Sequence, residues 1–216
     1  MKTQTPFSIL LNAVLAGIFI GIAGTVCMMV KNPIAGALFF GFGLLTILCF
    51  GFKLYTGAIG YLAIQKRNTP VYLLDLVLIW LGNFVGCALV GTLVRFSRSF
   101  PAMQARVEAI CQQKCADKFW SLLILAFFCG ILMYTAVEAF KRKELPEVCR
   151  AALVFLCVAV FILSGFEHCV ANMYYFSAAG MWHKQSLIAL GVMTLGNSLG
   201  GMLLPFVGHV QIPENK

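Results

Sequence analysis

The chain has 216 residues, of which 61% are hydrophobic and only 11% are charged, and its formal net charge is +8. Soluble domains carry about 25% charged residues, so this composition excludes an ordinary soluble fold and indicates an integral membrane protein. The basic residues lie between long apolar runs and form no continuous stripe, which indicates membrane-flanking charges and excludes a nucleic-acid partner.

Three membrane spans are predicted in the first half of the chain. Span one covers about residues 8–30, and it lacks a convincing small-residue cleavage site, so we interpret it as a retained span rather than a signal peptide. Span two would cover 34–64, which is too long for one ordinary crossing. Because residues 51–55 contain glycine and a charge, we expect span two to break there. Span three covers about 71–94.

The second half repeats this pattern after a polar linker at residues 95–118, for which some helical character is predicted. Span four covers about 119–140 and span six about 186–207. Span five, at about 148–179, is again too long, and its expected break lies at 164–169.

The two halves are related by an internal repeat with a spacing of 114 residues. Gly-Phe-Lys at residues 51–53 corresponds to Gly-Phe-Glu at 165–167, and Leu-Gly-Asn at 81–83 recurs at 195–197. Each copy holds three spans, so the second copy would enter the membrane upside down. Inverted repeats with helices broken near the middle of the membrane are typical of transport proteins.

The sequence therefore predicts an all-α integral membrane protein with six transmembrane helices and one domain, residues 1–216. It consists of two inverted three-helix repeats, at about 1–94 and 119–207, with spans two and five broken. Both termini then lie on one side. The basic residues of the termini and short loops, Lys2, Lys66, Arg67 and Lys216 among them, favour the cytoplasmic side of the cell (inner) membrane.

Ionisable side chains lie at both expected breaks, where charge is costly and usually functional. Lys53 is in the first, and Glu167, His168 and Asn172 are in or beside the second. Two interpretations of Lys53 remain open. It forms a buried structural ion pair with its counterpart Glu167, or it attracts an anion directly.

His168 is a candidate for solute contact, because a histidine in the middle of a span has few structural roles. It can donate a hydrogen bond when neutral and carries charge when protonated. Thr56 could give a second hydrogen bond to the same solute. Asn83, at the centre of span three, is predicted to bond across helices, and Gly82 and Gly86 beside it predict close helix packing.

Nine cysteines are scattered along the chain, most of them inside predicted spans as small apolar residues. Cys111 and Cys115 form a C-x3-C pair in the linker, which lacks the further ligands of a metal site. No metal or cofactor is predicted, and the role of this pair is left open.

The run GFEHCVANM at residues 165–173 resembles a G-F-E-H-x-x-A-N-M run in the fifth span of the formate/nitrite transporter family. Residues 54–57 are similar to the L-F-T segment of that family's second span, and residues 82–86 and 196–197 are similar to its third and sixth spans. The resemblance covers essentially the whole chain. It implies an aquaporin-like protomer, a homopentamer in the lipid bilayer, and a pore in each protomer for small monovalent anions such as formate, nitrite or hydrosulfide.

The resemblance makes His168 the central pore histidine and Thr56 the threonine that faces it. It also implies two constrictions, a cytoplasmic one of Leu44, Tyr55 and Met133 and a periplasmic one of Phe40 and Phe161.

Three positions depart from the pattern of formate channels. These channels commonly have an acidic residue where this chain has Lys53, a phenylalanine at Tyr55 and a polar amide at Gly130. The identity of the anion is therefore left open.

The leading hypothesis is a passive or proton-coupled channel for small weak-acid anions, and not an enzyme. A second hypothesis is a channel for neutral solutes, in which Lys53 and Glu167 cancel, although the paired Asn-Pro-Ala motifs of aquaporins are absent. A third is an intramembrane enzyme, haem or redox protein using His168 and a cysteine. It needs a second ligand at depth, and His183 and His209 lie at span ends.

Overall fold

The computed structural model describes residues 5–64 and 69–211, and these residues form nine α-helices and one short 3₁₀ helix. The helices are α1 (Pro6–Met29), α2 (Pro33–Phe50), α3 (Tyr55–Ala58), followed by the 3₁₀ helix (Ile59–Ile64), α4 (Thr69–Val94), α5 (Phe100–Ala116), α6 (Phe119–Lys141), α7 (Glu147–Leu163), α8 (Cys169–Ala179) and α9 (Lys184–Gln211). Lys2, Lys66, Arg67, Lys216 and the side chain of His209 lie outside the described part, so the predicted orientation of the termini stays a prediction.

Five of the described helices are long and apolar enough to cross a membrane, namely α1, α2, α4, α6 and α9. The fifth predicted span is divided between α7, with 17 residues, and α8, with 11. The described residues form helices and no strands, as the sequence predicts for a multi-pass membrane protein.

Local sequence explains where the first helices begin. Thr5 caps α1 by accepting a hydrogen bond from the backbone N–H of Ser8, and the Asn32 side chain caps α2. A proline follows each cap, where its missing N–H costs nothing and its fixed φ favours a helix. Both starts therefore have a side-chain acceptor for N–H groups that lipid could not satisfy.

Two glycines in the left-handed region end α2 and α7. Gly51 has a φ of 70° and Gly165 a φ of 68°, which costs glycine little and other residues more. This requirement explains why the Gly-Phe pair occurs at the same place in both halves. Residues 51–54 and 164–168 are consequently non-helical and form two loops inside the regions where breaks are expected.

Glycines allow close helix contacts between α1 and α4 and between α6 and α9, the two most extensive helix pairings among the described residues. A Cβ at Gly86 would overlap the carbonyl oxygen of Val14 on α1, and one at Gly200 would overlap that of Phe127 on α6. Gly82 is also too close to α1 for a side chain. The close packing predicted for Gly82 and Gly86 is confirmed.

We expect Gly86→Leu and Gly200→Leu each to lower the free energy of unfolding by about 1–3 kcal/mol or more, because the added side chain must displace backbone. Gly191→Leu is the matched control, since nothing lies within 4 Å of a Cβ at that position of α9. Denaturant unfolding in detergent measures all three variants. Equal stability of the Gly86 and Gly191 variants would contradict the expected overlap.

The linker forms α5, which packs against the spans through one face. Met103, Val107 and Cys111 on that face are fully buried. Arg106 donates to the carbonyl oxygens of Cys27, Met28 and Val30 at the end of α1. The linker is therefore a packed part of the fold rather than a loose connection.

The two linker cysteines are free thiols, with Cys111 buried and Cys115 partly exposed. Burial raises the pKa of the Cys111 thiol to about 12, which leaves little thiolate for reaction at neutral pH. This environment is typical of an inert thiol.

Candidate functional site

The candidate site lies where α3, which follows the first loop, meets the second loop. The Thr56 hydroxyl oxygen is 2.9 Å from Nε2 of His168, and we refer to these residues as the central pair. Thr56 is 0% and His168 2% exposed. The structure thus brings together two residues 112 positions apart that the resemblance places face to face.

An asparagine on α4 holds the first loop. Asn83 accepts a hydrogen bond from the Tyr55 N–H at 2.9 Å and donates to the carbonyl oxygens of Lys53 and Ala13, each at 2.8 Å. Both amide hydrogens and the carbonyl oxygen of the side chain take part in these contacts. Asn83 therefore bonds across helices, as predicted, and fixes the loop beside Thr56.

Asn197 on α9 holds the second loop in the same way. It accepts from the Cys169 N–H at 2.8 Å and donates to the carbonyl oxygens of Glu167 and Ala126, each at 2.7 Å. Asn197 lies 114 residues after Asn83, so corresponding residues support the two sides of the site.

The hydrogen bonds of His168 assign its neutral tautomer. Nδ1 accepts from the backbone N–H of Ala171 at 3.0 Å and so caps the start of α8. Nδ1 can accept only when it carries no proton, so the proton of the neutral ring is on Nε2 and is donated to Thr56. The hydroxyl hydrogen of Thr56 then remains available for a solute.

Apolar side chains enclose the central pair. The Phe161 ring stacks on His168 with centroids 5.6 Å apart, and Phe40 meets Phe161 edge-on at 5.7 Å. The five residues assigned to the two constrictions are all at least nine-tenths buried, namely Phe40, Leu44, Tyr55, Met133 and Phe161. A solute reaching the central pair would leave most of its water behind.

The predicted ion pair between Lys53 and Glu167 is wrong. The Glu167 carboxylate accepts from Lys114 of α5, at 2.6 and 2.5 Å, and from the Asn172 amide at 2.8 Å. Lys53 is half-buried in the first loop, where its carbonyl oxygen accepts from Asn83. Because α5 folds back over the second loop, its own lysine reaches Glu167.

A cavity of about 230 Å³ opens beside the second loop. Its lining includes His168, Glu167 and Phe161 from the loop and its helix, and Lys114 and Arg106 from α5. A larger cavity of about 530 Å³ lies at the far ends of α6 and α9 and is lined by neither member of the central pair. The smaller cavity is therefore the better candidate for a vestibule.

Lys114 and Arg106 are the charged residues of this vestibule that sequence reasoning missed. Both lie in the segment interpreted as a linker, where basic residues are expected on membrane-flanking grounds. The sequence nevertheless contains a signal. Arg106 and Lys114 are separated by about two helical turns, which places them on the same side of a helix.

Comparison with known proteins identifies the family. The sequence pattern described as formate/nitrite transporter matches residues 2–211. The chain belongs to this family. The nitrite transporter NirC of Salmonella typhimurium is 24% identical over 97% of this chain and 84% of its own length. The formate channel FocA of Haemophilus influenzae is 24% identical over 80% of this chain and 71% of its own length.

Solved structures show the same fold for this member of the formate/nitrite transporter family. A pentameric formate channel with formate bound has a TM-score of 0.82 at 23% identity, covering 95% of this chain and 96% of that one. An FNT family ion channel has a TM-score of 0.81 at 22% identity, covering 97% and 92%.

The structure explains one departure from the pattern of formate channels. Gly130 faces the backbone of Asn197, and a Cβ there would overlap the Asn197 carbonyl oxygen. A polar amide does not fit at this position unless α6 and α9 move apart.

Proposed function

We propose that this member of the formate/nitrite transporter family conducts small monovalent weak-acid anions, of the formate, nitrite or hydrosulfide class, past Thr56 and His168. The observation that carries the proposal is the contact between these two side chains, where α3 meets the second loop and both are buried. The curated relatives named above are a nitrite transporter and a formate channel, which supports this solute class.

The proposed arrangement has six membrane crossings in two inverted repeats, with spans two and five interrupted by the loops. The corresponding hydrogen bonds that Asn83 and Asn197 make to the two loop regions support the repeat. Irregular backbone at membrane depth survives only when protein buries it or when it lines a wet cavity, which supports a pore. A homopentamer in the inner membrane with cytoplasmic termini is proposed from the solved pentameric relative and the charge pattern.

The central pair offers hydrogen bonds to a solute that has lost its water. Because Nε2–H of His168 is donated to Thr56, the Thr56 hydroxyl can donate to the anion without a charge on the ring. A second proton on Nδ1 would remove the acceptor of the Ala171 N–H. In a proton-coupled cycle, protonation of His168 therefore requires the start of α8 to lose this cap.

Charge at the two loops differs. Glu167 is neutralised by Lys114, so the second loop adds little net charge beside His168. At the first loop Lys53 adds a positive charge, while Glu167 is bonded to Lys114. We propose that Lys53 attracts the anion, the interpretation that remains once Glu167 has a different partner. The hypothesis of a channel for neutral solutes assumed that the charges of Lys53 and Glu167 cancel. It gains no support, because Glu167 is bonded to Lys114.

The proposal is tested by flux into liposomes with a panel of formate, nitrite, hydrosulfide, acetate and chloride. We expect the small weak-acid anions to pass at least tenfold faster than chloride, because the apolar constrictions penalise an ion that cannot take up a proton. Empty liposomes give the background. Equal rates for chloride and formate, or conduction of water alone, would contradict the proposed solute class.

A further inference from the structure

A second hydrogen bond ties the first loop to α9. The hydroxyl of Tyr55, the first residue of α3, is 2.9 Å from Oγ of Ser198. Ser198 also donates to the carbonyl oxygen of Thr194 at 2.6 Å. A serine has one hydroxyl hydrogen, so in the Tyr55 contact the tyrosine donates and Ser198 accepts.

This bond is placed to act on the central pair. Tyr55 directly precedes Thr56, and Ser198 directly follows Asn197, which holds the Cys169 N–H next to His168. Two consecutive residues of α9 thus bind the chain neighbours of both members of the central pair. A shift of α9 relative to either loop would change the distance between the two side chains.

The bond breaks the symmetry of the repeat. The position 114 residues before Ser198 is Phe84, whose ring packs against Trp80 and Trp182. The counterpart of Tyr55 is Cys169, which has no phenolic hydroxyl. Because the other half does without such a tyrosine–serine bond, it is not a requirement of the fold.

We propose that Ser198 is a positioning residue for transport. By accepting from the Tyr55 hydroxyl, it holds the Tyr55 ring in the closed position of the constriction formed with Leu44 and Met133. The three side chains are 9%, 1% and 2% exposed, so a solute passes only after one of them moves. The strength of the Tyr55–Ser198 bond then sets how often this constriction opens. The inference rests on the proposed function.

The test removes the bond from each side. Tyr55→Phe and Ser198→Ala should each raise the formate flux of proteoliposomes by about two- to tenfold, the range expected for one hydrogen bond. The double variant should exceed neither single variant, and Ser198→Thr, which keeps the hydroxyl, should conduct as the wild type does. Amide hydrogen exchange across residues 51–64 should rise in the two single variants and stay unchanged in the threonine variant.

Tyr174→Phe is the matched control, because the Tyr174 hydroxyl lies 2.7 Å from Thr25 Oγ1 between α8 and α1, away from the first loop. It should leave flux and exchange at 51–64 unchanged. Wild-type flux and exchange in both Tyr55→Phe and Ser198→Ala would overturn the proposal, as would reduced flux with unchanged exchange. A wild-type protein that conducts none of the anions, while exchange still rises in the variants, would contradict the proposed function and support the role of Ser198 in holding Tyr55.

Discussion

Replacement of His168 by phenylalanine is expected to abolish anion flux. The substitution keeps an aromatic ring against Phe161 but removes both nitrogens, so Thr56 loses its donor at Nε2 and Ala171 loses its acceptor at Nδ1. Loss of the helix cap alone costs about 0.5–2 kcal/mol. A desolvated anion would then meet an apolar wall where the wild type offers polar atoms.

Replacement by asparagine is expected to give a folded protein with a different pH response. Asparagine is among the best residues at a helix start, because its side-chain oxygen can accept from the Ala171 N–H in place of Nδ1. Its amide can still donate toward Thr56, but it cannot take up a proton between about pH 5 and 8, where an unperturbed histidine titrates. If protonation of His168 drives uptake, wild-type flux rises as pH falls, and His168→Asn loses this rise while it still conducts.

Proteoliposome flux between pH 5 and 8 measures both variants, with His183→Asn as the matched control. His183 is exposed at the start of α9, and its Nδ1 is 3.1 Å from the Gln185 side chain, so its removal should leave the pH profile unchanged. A His168→Asn protein with the wild-type rate and pH profile would remove protonation from the mechanism. Normal flux in His168→Phe would place the pathway away from this residue.

The parts of the site that could be predicted from sequence are those determined by local chemistry. Gly51 and Gly165 indicate loops, because a left-handed backbone at the end of a helix favours glycine. Asn83 in the middle of an apolar span must find partners, and the predicted cross-helix bonds are present. The contact between Thr56 and His168 was predicted only from the family resemblance, because no spacing rule brings together residues 112 positions apart.

The partner of Glu167 could not be predicted because it depends on tertiary structure. Repeat symmetry suggested Lys53, since the two residues occupy corresponding positions. Symmetry, however, relates the residues without bringing them into contact: the Lys53 N–H donates to Asn12 of α1, and that of Glu167 to Leu125 of α6. The spacing of Arg106 and Lys114 indicates a shared helix face, but no sequence pattern indicates that α5 folds back over the second loop and brings Lys114 to Glu167.

Removal of either partner of this ion pair is expected to have the largest effect on stability. The side chains of Lys114 and Glu167 are only 15% and 7% exposed, so a single substitution leaves a charge buried without its partner. Lys114→Ala and Glu167→Ala should each lower the free energy of unfolding by about 3–5 kcal/mol. Denaturant unfolding in detergent measures the effect, and the double variant should lose clearly less than the sum because no unpaired charge remains.

Lys53→Ala provides the matched control, because Lys53 is a basic residue of the other loop and Glu167 is bonded to Lys114. Combined with Glu167→Ala, it should give a loss that is additive within about 0.5 kcal/mol, as independent sites do. Additivity for Lys114 and Glu167 would mean that the pair contributes no mutual stabilisation. A coupling between Lys53 and Glu167 of more than about 1 kcal/mol would mean that the charges of the two loops interact. The structure argues against such an interaction, because Glu167 is bonded to Lys114.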